Sequence, residues 1–185
     1  ENSDRGEWYW GGTFCIPHEV VATADGQLDV KLPEEYVNCF KEKVDWKYLP
    51  VMGEYKLYGD TTVELDGCGT TSYGFLEQPE EKFLFTGTVI PKEANDSFGI
   101  LLKSDWEASG CLFLEFDVAM QRVSLLSLPM GVDPFWEQSC QAVPKATEPG
   151  PDGVRVAEKT FAIENGVAID VKISVDHDMV EVFVG

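Results

Sequence analysis

Glu115-Phe116-Asp117 is the first place in this chain where chemistry could sit. Carboxylates two residues apart on a strand share a face, about 7 Å from one another. Glycoside cleavage built on a single strand needs a third carboxylate, spaced Glu-x-Asp-x-(x)-Glu, so that nucleophile, helper and acid/base all line up. Here Ala119, Met120 and Gln121 occupy the region where the third should lie. The pair therefore reads as a solvated strand face rather than a catalytic set.

Other reactive residue types are sparse. Asp176-His177-Asp178 offers two carboxylates and an imidazole, a possible metal set. Asp also favours tight turns through its own backbone hydrogen bonds, and a turn is the expectation here. His18 and His177 have no Gly-x-Ser-x-Gly or cysteine motif beside them, so no nucleophilic triad is indicated. Gly67-Cys68-Gly69 and Val132-Asp133-Pro134 read as turns. Aromatic residues raise a different possibility, since flat rings stack on the C–H faces of sugars. Trp106 and Trp136 fall in expected loops and are the candidate carbohydrate-binding residues. Trp8 and Trp10 share a strand face and read as packing residues.

The elements that must position these groups are strands. From Val167 to Val175 apolar residues alternate strictly with Ala168, Asp170, Lys172 and Ser174, which is period two. After the turn, Met179 to Val184 forms a second strand. Upstream, Tyr55–Tyr58, Thr61–Leu65, Lys82–Ile90, Phe98–Lys103, Cys111–Asp117, Arg122–Leu128 and Val154–Ile163 read as strands between Gly, Asp, Asn and Pro signals. Gln138–Val143 adds a short one. Residues 20–32 read as a hairpin around Asp25-Gly26, and 33–43 as a helical turn or two. The expected fold is all-β: a two-sheet antiparallel β-sandwich of concanavalin-like or jelly-roll type, with an irregular N-terminal segment. The division expected is 1–50 as a linker-like segment and 51–185 as the sandwich. Its core would include Phe83, Phe85, Ile100, Leu102, Leu112, Leu114, Phe116, Ile169, Val171, Ile173, Val182 and Val184.

The chain has 185 residues, enough to bury roughly 70% of the surface exposed when unfolded. It carries a net charge of −19. Such a surface repels phosphate backbones and anionic lipids, so neither nucleic acid nor membrane is expected as a partner, while neutral sugars are not penalised. No cofactor is expected. Five cysteines at 15, 39, 68, 111 and 140 have long gaps and no Cys-x-x-Cys. They suit neither a disulfide framework nor a zinc site, and with no leader in view they favour a cytoplasmic, reducing compartment. Cys111, inside an apolar strand, reads as a small buried hydrophobe. Asn95-Asp96-Ser97 is a formal glycosylation sequon. Glu1 is not an initiator Met, and Gly185 falls as a hairpin strand finishes, so a piece of a longer polypeptide is expected.

Two segments carry a resemblance. The first runs Gly6-Glu-Trp-Tyr-Trp-Gly-Gly-Thr-Phe-Cys-Ile-Pro-His-Glu-Val20, then Asp25-Gly26-Gln27-Leu28 and Pro33-Glu34-Glu35. It resembles the stretch closing the catalytic propeller of glycoside hydrolase family 32, the invertases and fructanases. The second is Phe98-Gly-Ile-Leu-Leu-Lys103, Leu112-Phe-Leu-Glu-Phe-Asp117 and Val175 to Val184, similar to that family's C-terminal β-sandwich. His18 stands where the family usually has Arg. The Arg-containing strand that follows the family's last hairpin is absent.

The family cleaves terminal β-fructosyl bonds of sucrose or fructans with two propeller carboxylates, in motifs such as Trp-Met-Asn-Asp-Pro-Asn-Gly, Arg-Asp-Pro and Glu-Cys. None occurs here. The resemblance thus implies a non-catalytic accessory module whose partner is the catalytic propeller of a parent glycosidase, with a homo-oligomeric contact also possible. The alternatives are an independent lectin-like carbohydrate-binding sandwich and a small glycanase built on Glu115 and Asp117.

Overall fold

The computed structural model describes residues 15–24, 26–44, 47–66, 73–76, 81–92, 97–104, 111–128, 154–177 and 179–185. The order is β1 (Glu19–Ala22), β2 (Leu28–Lys31), α1 (Glu34–Val37), β3 (Tyr48–Met52), β4 (Glu54–Tyr58), β5 (Thr62–Asp66), β6 (Tyr73–Leu76), β7 (Lys82–Val89), β8 (Ser97–Leu102), β9 (Cys111–Asp117), β10 (Arg122–Leu128), β11 (Val154–Thr160), β12 (Ile169–Asp176) and β13 (Met179–Val184). The paired strands whose register is defined all run antiparallel. The described residues are almost all β-strand in antiparallel sheets, consistent with the all-β, antiparallel β-sandwich class that the alternating strands predict, and α1 is a single turn.

The described residues fall into two compact units, one from Glu1–Gly87 with Asp170–Gly185, the other Thr88–Ile169. The first holds the hairpins β1–β2 and β4–β5, the pair β3–β6, and a three-stranded sheet ordered β13-β12-β7. Val171, Ile173 and Val175 on β12 are buried, and the polar residue Ser174 between two of them is buried as well. Ser174 is accommodated because its hydroxyl lies 2.8 Å from that of Tyr36. The start of the alternation behaves differently: Val167 is exposed and the strand begins at Ile169, because Gly166 (φ +75°) turns the chain there.

The second unit is a four-stranded sheet ordered β11-β10-β9-β8. Period-two alternation gives β9 two unlike faces. Leu114 and Phe116 are buried on one, where Phe98 stacks on its register partner Phe116 at 5.2 Å, and Val118 just beyond the strand is buried too. Phe113, Glu115 and Asp117 lie on the other and are half-buried. Truncating the fully enclosed Phe116 to Ala would cost about 3–5 kcal/mol.

Leu102, Leu114, Phe116, Ile169, Val171 and Ile173 are buried as expected, whereas Phe83, Phe85, Ile100, Leu112, Val182 and Val184 are half-buried. Cys111 is buried, as its apolar strand predicts, while Cys15 and Cys39 are exposed, and none of the three is in a disulfide. The expected aromatic strand near Trp8–Trp10 and the strand 138–143 lie outside the described residues. So do the turns at 67–69 and 132–134, and the sequon residues Asn95 and Asp96.

Candidate functional site

The mixed face of the second unit is set by register. Glu115 on β9 stands opposite Ser124 on β10 and Gly99 on β8, and Ser124 stands opposite Glu158 on β11. Residues directly opposite in an antiparallel pair project to the same side, so Glu158, Ser124, Glu115 and Gly99 form one row across the sheet. The next row contains Arg122 and Asp117, again direct partners. On the other side of the Glu115 row, Phe113 faces Leu126 and Leu101.

Asp117 is fully engaged. One carboxylate oxygen accepts the Met120 backbone N–H at 3.0 Å, and the other accepts from Arg122 Nη2 at 2.9 Å. It therefore closes the β9–β10 turn and neutralises Arg122. Arg122 Nη1 lies 3.7 Å from Glu158, which also meets Arg155 Nε at 3.4 Å, so charge of both signs alternates along this edge. Ala119 and Met120 lie in the turn and Gln121 in the left-handed region (φ 51°), all off the strand. No third strand carboxylate follows Asp117 at this point, because residues 118–121 turn, so the Glu-x-Asp-x-(x)-Glu spacing is not continued along this strand.

Glu115 differs from its neighbour. Among the described residues it is half-buried and has neither a hydrogen bond nor an ion pair. The hydroxyl of Ser124 directly opposite is buried, the residue only 1% exposed, and has no partner either. Arg122 Nε is a second buried donor left open. The ring of Phe113 flanks these groups by lying over Gly99: a Cβ at residue 99 would come within 2.7 Å of that ring and 1.9 Å of the Leu114 carbonyl oxygen. Sequence reading picked out Glu115 but missed Phe113, Arg122 and Ser124. The signal available was the alternation in Arg122-Val-Ser-Leu, which places Arg122 and Ser124 on one face.

The turn read at Asp176-His177 is present, with His177 in the left-handed region (φ 53°). Asp176 binds Lys82 Nζ and lies 2.8 Å from His177 Nδ1, while His177 Nε2 sits 3.6 Å from Glu81. The Lys82 ammonium, and then the His177 contact, hold the Asp176 carboxyl below its ordinary range, and Asp176 in turn raises Lys82. Asp178 lies outside the described residues. Among the described residues no three His, Cys, Asp or Glu side chains are arranged to hold a metal ion.

At the N-terminal side of the first unit, Glu181 of β13 gathers two groups from the segment read as a linker. Its carboxylate accepts the Ile16 N–H at 2.7 Å and meets His18 Nε2 at 2.6 Å, and the His18 ring edges onto Phe183 at 5.3 Å. The hairpins β1–β2 and β4–β5 leave apolar faces open. Val20 and Leu28 are 61% and 76% exposed, and Tyr55, Leu57 and Leu65 are also exposed. A depression lined by Glu54, Tyr55, Lys56, Glu64 and Asp66 holds about 40 Å³, room for water and not for a sugar ring. Trp106 and Trp136, the aromatic residues singled out for sugar stacking, lie outside the described residues.

No family model matches the chain, and no curated protein matches it. Among solved structures, the carbohydrate-binding module CBM66 from Bacillus subtilis is similar at a TM-score of 0.49 and 14% identity, over 76% of this chain and 73% of that one. At that score and identity the likeness assigns neither fold nor function.

Proposed function

We propose that this chain is a non-catalytic, carbohydrate-binding β-sandwich module. The observation that carries the reading is the contrast between Glu115 and Asp117. Asp117 is tied to Arg122 and to the turn, whereas Glu115 is left unpaired on a half-exposed face beside an aromatic ring. One free carboxylate suits hydroxyl recognition; retaining or inverting glycoside cleavage needs two. Trp106 and Trp136 are proposed as stacking platforms in the same module. Binding of the whole chain to neutral polysaccharides, fructans and glucans among them, tests this by affinity electrophoresis and tryptophan fluorescence. Retention and quenching are expected, with quenching lost in Trp106→Ala or Trp136→Ala, and no fructose is released from sucrose. Absence of retention by every neutral polysaccharide overturns the reading.

A second reading is favoured by a separate observation. The exposed apolar faces of β1–β2 and β4–β5 suit packing against another folded body. Together with the family 32-like motifs, they support an accessory role beside the catalytic propeller of a β-fructosidase-like glycosidase. Residues 1–50 would then be the connecting segment and 51–185 the sandwich. Co-expression with a family 32 propeller tests it: stable association is expected, weakened by Leu28→Lys, and failure to associate argues against it.

A further inference from the structure

We propose that Phe113, Glu115, Arg122 and Ser124 form a subsite for the vicinal hydroxyls of an uncharged sugar; this rests on the carbohydrate-binding reading and names its binding residues. A buried hydroxyl or guanidinium nitrogen without a partner is unfavourable, and natural sheets leave few. Here Ser124 Oγ and Arg122 Nε are both open, two residues apart on one strand, and the half-buried Glu115 opposite Ser124 is open too. The opposite face of the same sheet is filled with Leu114, Phe116 and Val123, so an apolar solution was within reach of this backbone.

The chemistry of the unmet groups selects the ligand. Glu115 wants a donor. Arg122 Nη1, 3.7 Å from Glu158 and thus without a close acceptor, wants one. Glu115 and Arg122 are diagonal neighbours across β9 and β10, and their side chains can converge on adjacent ligand atoms. A diol supplies both needs, one hydroxyl donating to Glu115 and the next accepting from Arg122. An anion is disfavoured by Glu115, Asp117 and Glu158 and by the net charge of −19. A metal ion lacks a ligand set among the described residues. Beside the polar groups, the Phe113 ring held over Gly99 provides a flat apolar wall for the sugar's C–H face. Ser124 is buried beneath these groups and is a positioning residue: its hydroxyl orients the Glu115 carboxylate once the ligand engages it.

Calorimetric titration of the whole chain with short inulin-derived and cello-oligosaccharides is the test, with amide chemical-shift mapping alongside. The expected result is binding weakened about tenfold in Glu115→Gln, which replaces a charge-assisted hydrogen bond by a neutral one. Ser124→Ala should weaken binding several-fold while leaving the thermal midpoint unchanged or raised, because it removes an unpaired buried hydroxyl. A merely structural serine would lower the midpoint and leave affinity alone. Shifts on adding sugar should centre on Gly99, Phe113–Glu115 and Arg122–Ser124. If the wild type binds but both variants match it, or the shifts lie elsewhere, the subsite is wrong and the carbohydrate-binding reading stands. If the wild type binds no neutral oligosaccharide and no neutral polysaccharide, that reading fails and takes the subsite with it.

Discussion

The side-chain amide of Gln121 pairs with Ile163 as a neighbouring strand would. Gln121 Oε1 accepts the Ile163 N–H at 2.9 Å, and Gln121 Nε2 donates to the Ile163 carbonyl at 3.0 Å. The same Nε2 also donates to the Val118 carbonyl at 2.8 Å, and the Gln121 main-chain carbonyl accepts from Phe161 N–H at 2.9 Å. One turn residue thereby fastens the chain beyond β11 to the end of β9. Gln121→Ala removes the side-chain bonds and should lower unfolding stability by about 2 kcal/mol, roughly one per bond lost to the Ile163 main chain. Gln121→Glu should be unstable at neutral pH, since its carboxylate would face two carbonyl oxygens. Its folded pKa would be raised, so stability is recovered as pH falls through that raised value toward the ordinary carboxylate pKa of about 4.3. Urea denaturation at pH 7 and pH 4 checks both; equal stability of Gln121→Ala and wild type would refute the role.

Ser174 and Tyr36 stand in a similar relation across 138 residues of sequence. Ser174 is buried among valines and isoleucines, so its hydroxyl depends on that one phenol. Tyr36→Phe should cost about 1–2 kcal/mol by leaving the hydroxyl unpaired. The double variant Tyr36→Phe/Ser174→Ala should lose less than the sum of the single changes, because the penalty disappears with the group that incurs it. A double-mutant cycle by chemical denaturation gives the coupling, and strict additivity would show that the contact carries no energy.

The strands were legible because alternation of apolar and polar residues is a local property. Cys111–Asp117, Arg122–Leu128 and Met179–Val184 fall at the bounds their sequences suggest. β3 and β6 were not: Tyr48-Leu-Pro-Val-Met52 carries a proline and no alternation, and its pairing with Tyr73–Leu76 comes from a distant segment. The site shows the same limit. Glu115 and Asp117 look equivalent in sequence, and only the turn geometry that brings Arg122 and the Met120 N–H to Asp117 separates them. Ser124 could not be read as unpaired from its neighbours in sequence, because its partners would have to come from across the sheet.

The charged turn at β12–β13 gives a pH dependence of definite sign. Asp176, held low chiefly by the hydrogen bond from Lys82, contributes stability above the unfolded carboxylate pKa of about 4 and loses it as pH falls through its lower folded value. Lys82, held high by Asp176, contributes below the unfolded lysine pKa of about 10.4 and loses it as pH rises through its higher folded value. The pair therefore acts over the whole range between. Asp176→Asn should flatten the acid limb of the stability profile, more at low than at high salt, because both groups are partly exposed. Thermal unfolding at several pH values and two ionic strengths reads this out, and an unchanged acid limb would remove Asp176 from the account.

Among the described glycines of the second unit, Gly99 leaves the least room for a side chain. It sits in β8 opposite Glu115, and an added methyl would meet the Leu114 carbonyl oxygen of the neighbouring strand at 1.9 Å. Backbone cannot yield there as a flexible side chain would, since Leu114 is itself hydrogen-bonded into the centre of the sheet and 2% exposed. The Phe113 ring, 2.7 Å from the same position, would be pushed off at the same time. Gly99→Ala should therefore destabilise by about 3 kcal/mol or more, at the upper end of single substitutions. Phe113→Ala would open space for the ring alone, so the double variant Gly99→Ala/Phe113→Ala should recover little. Recovery to the Phe113→Ala level would mean that the ring, and not the strand-to-strand approach, is what demands glycine at this position.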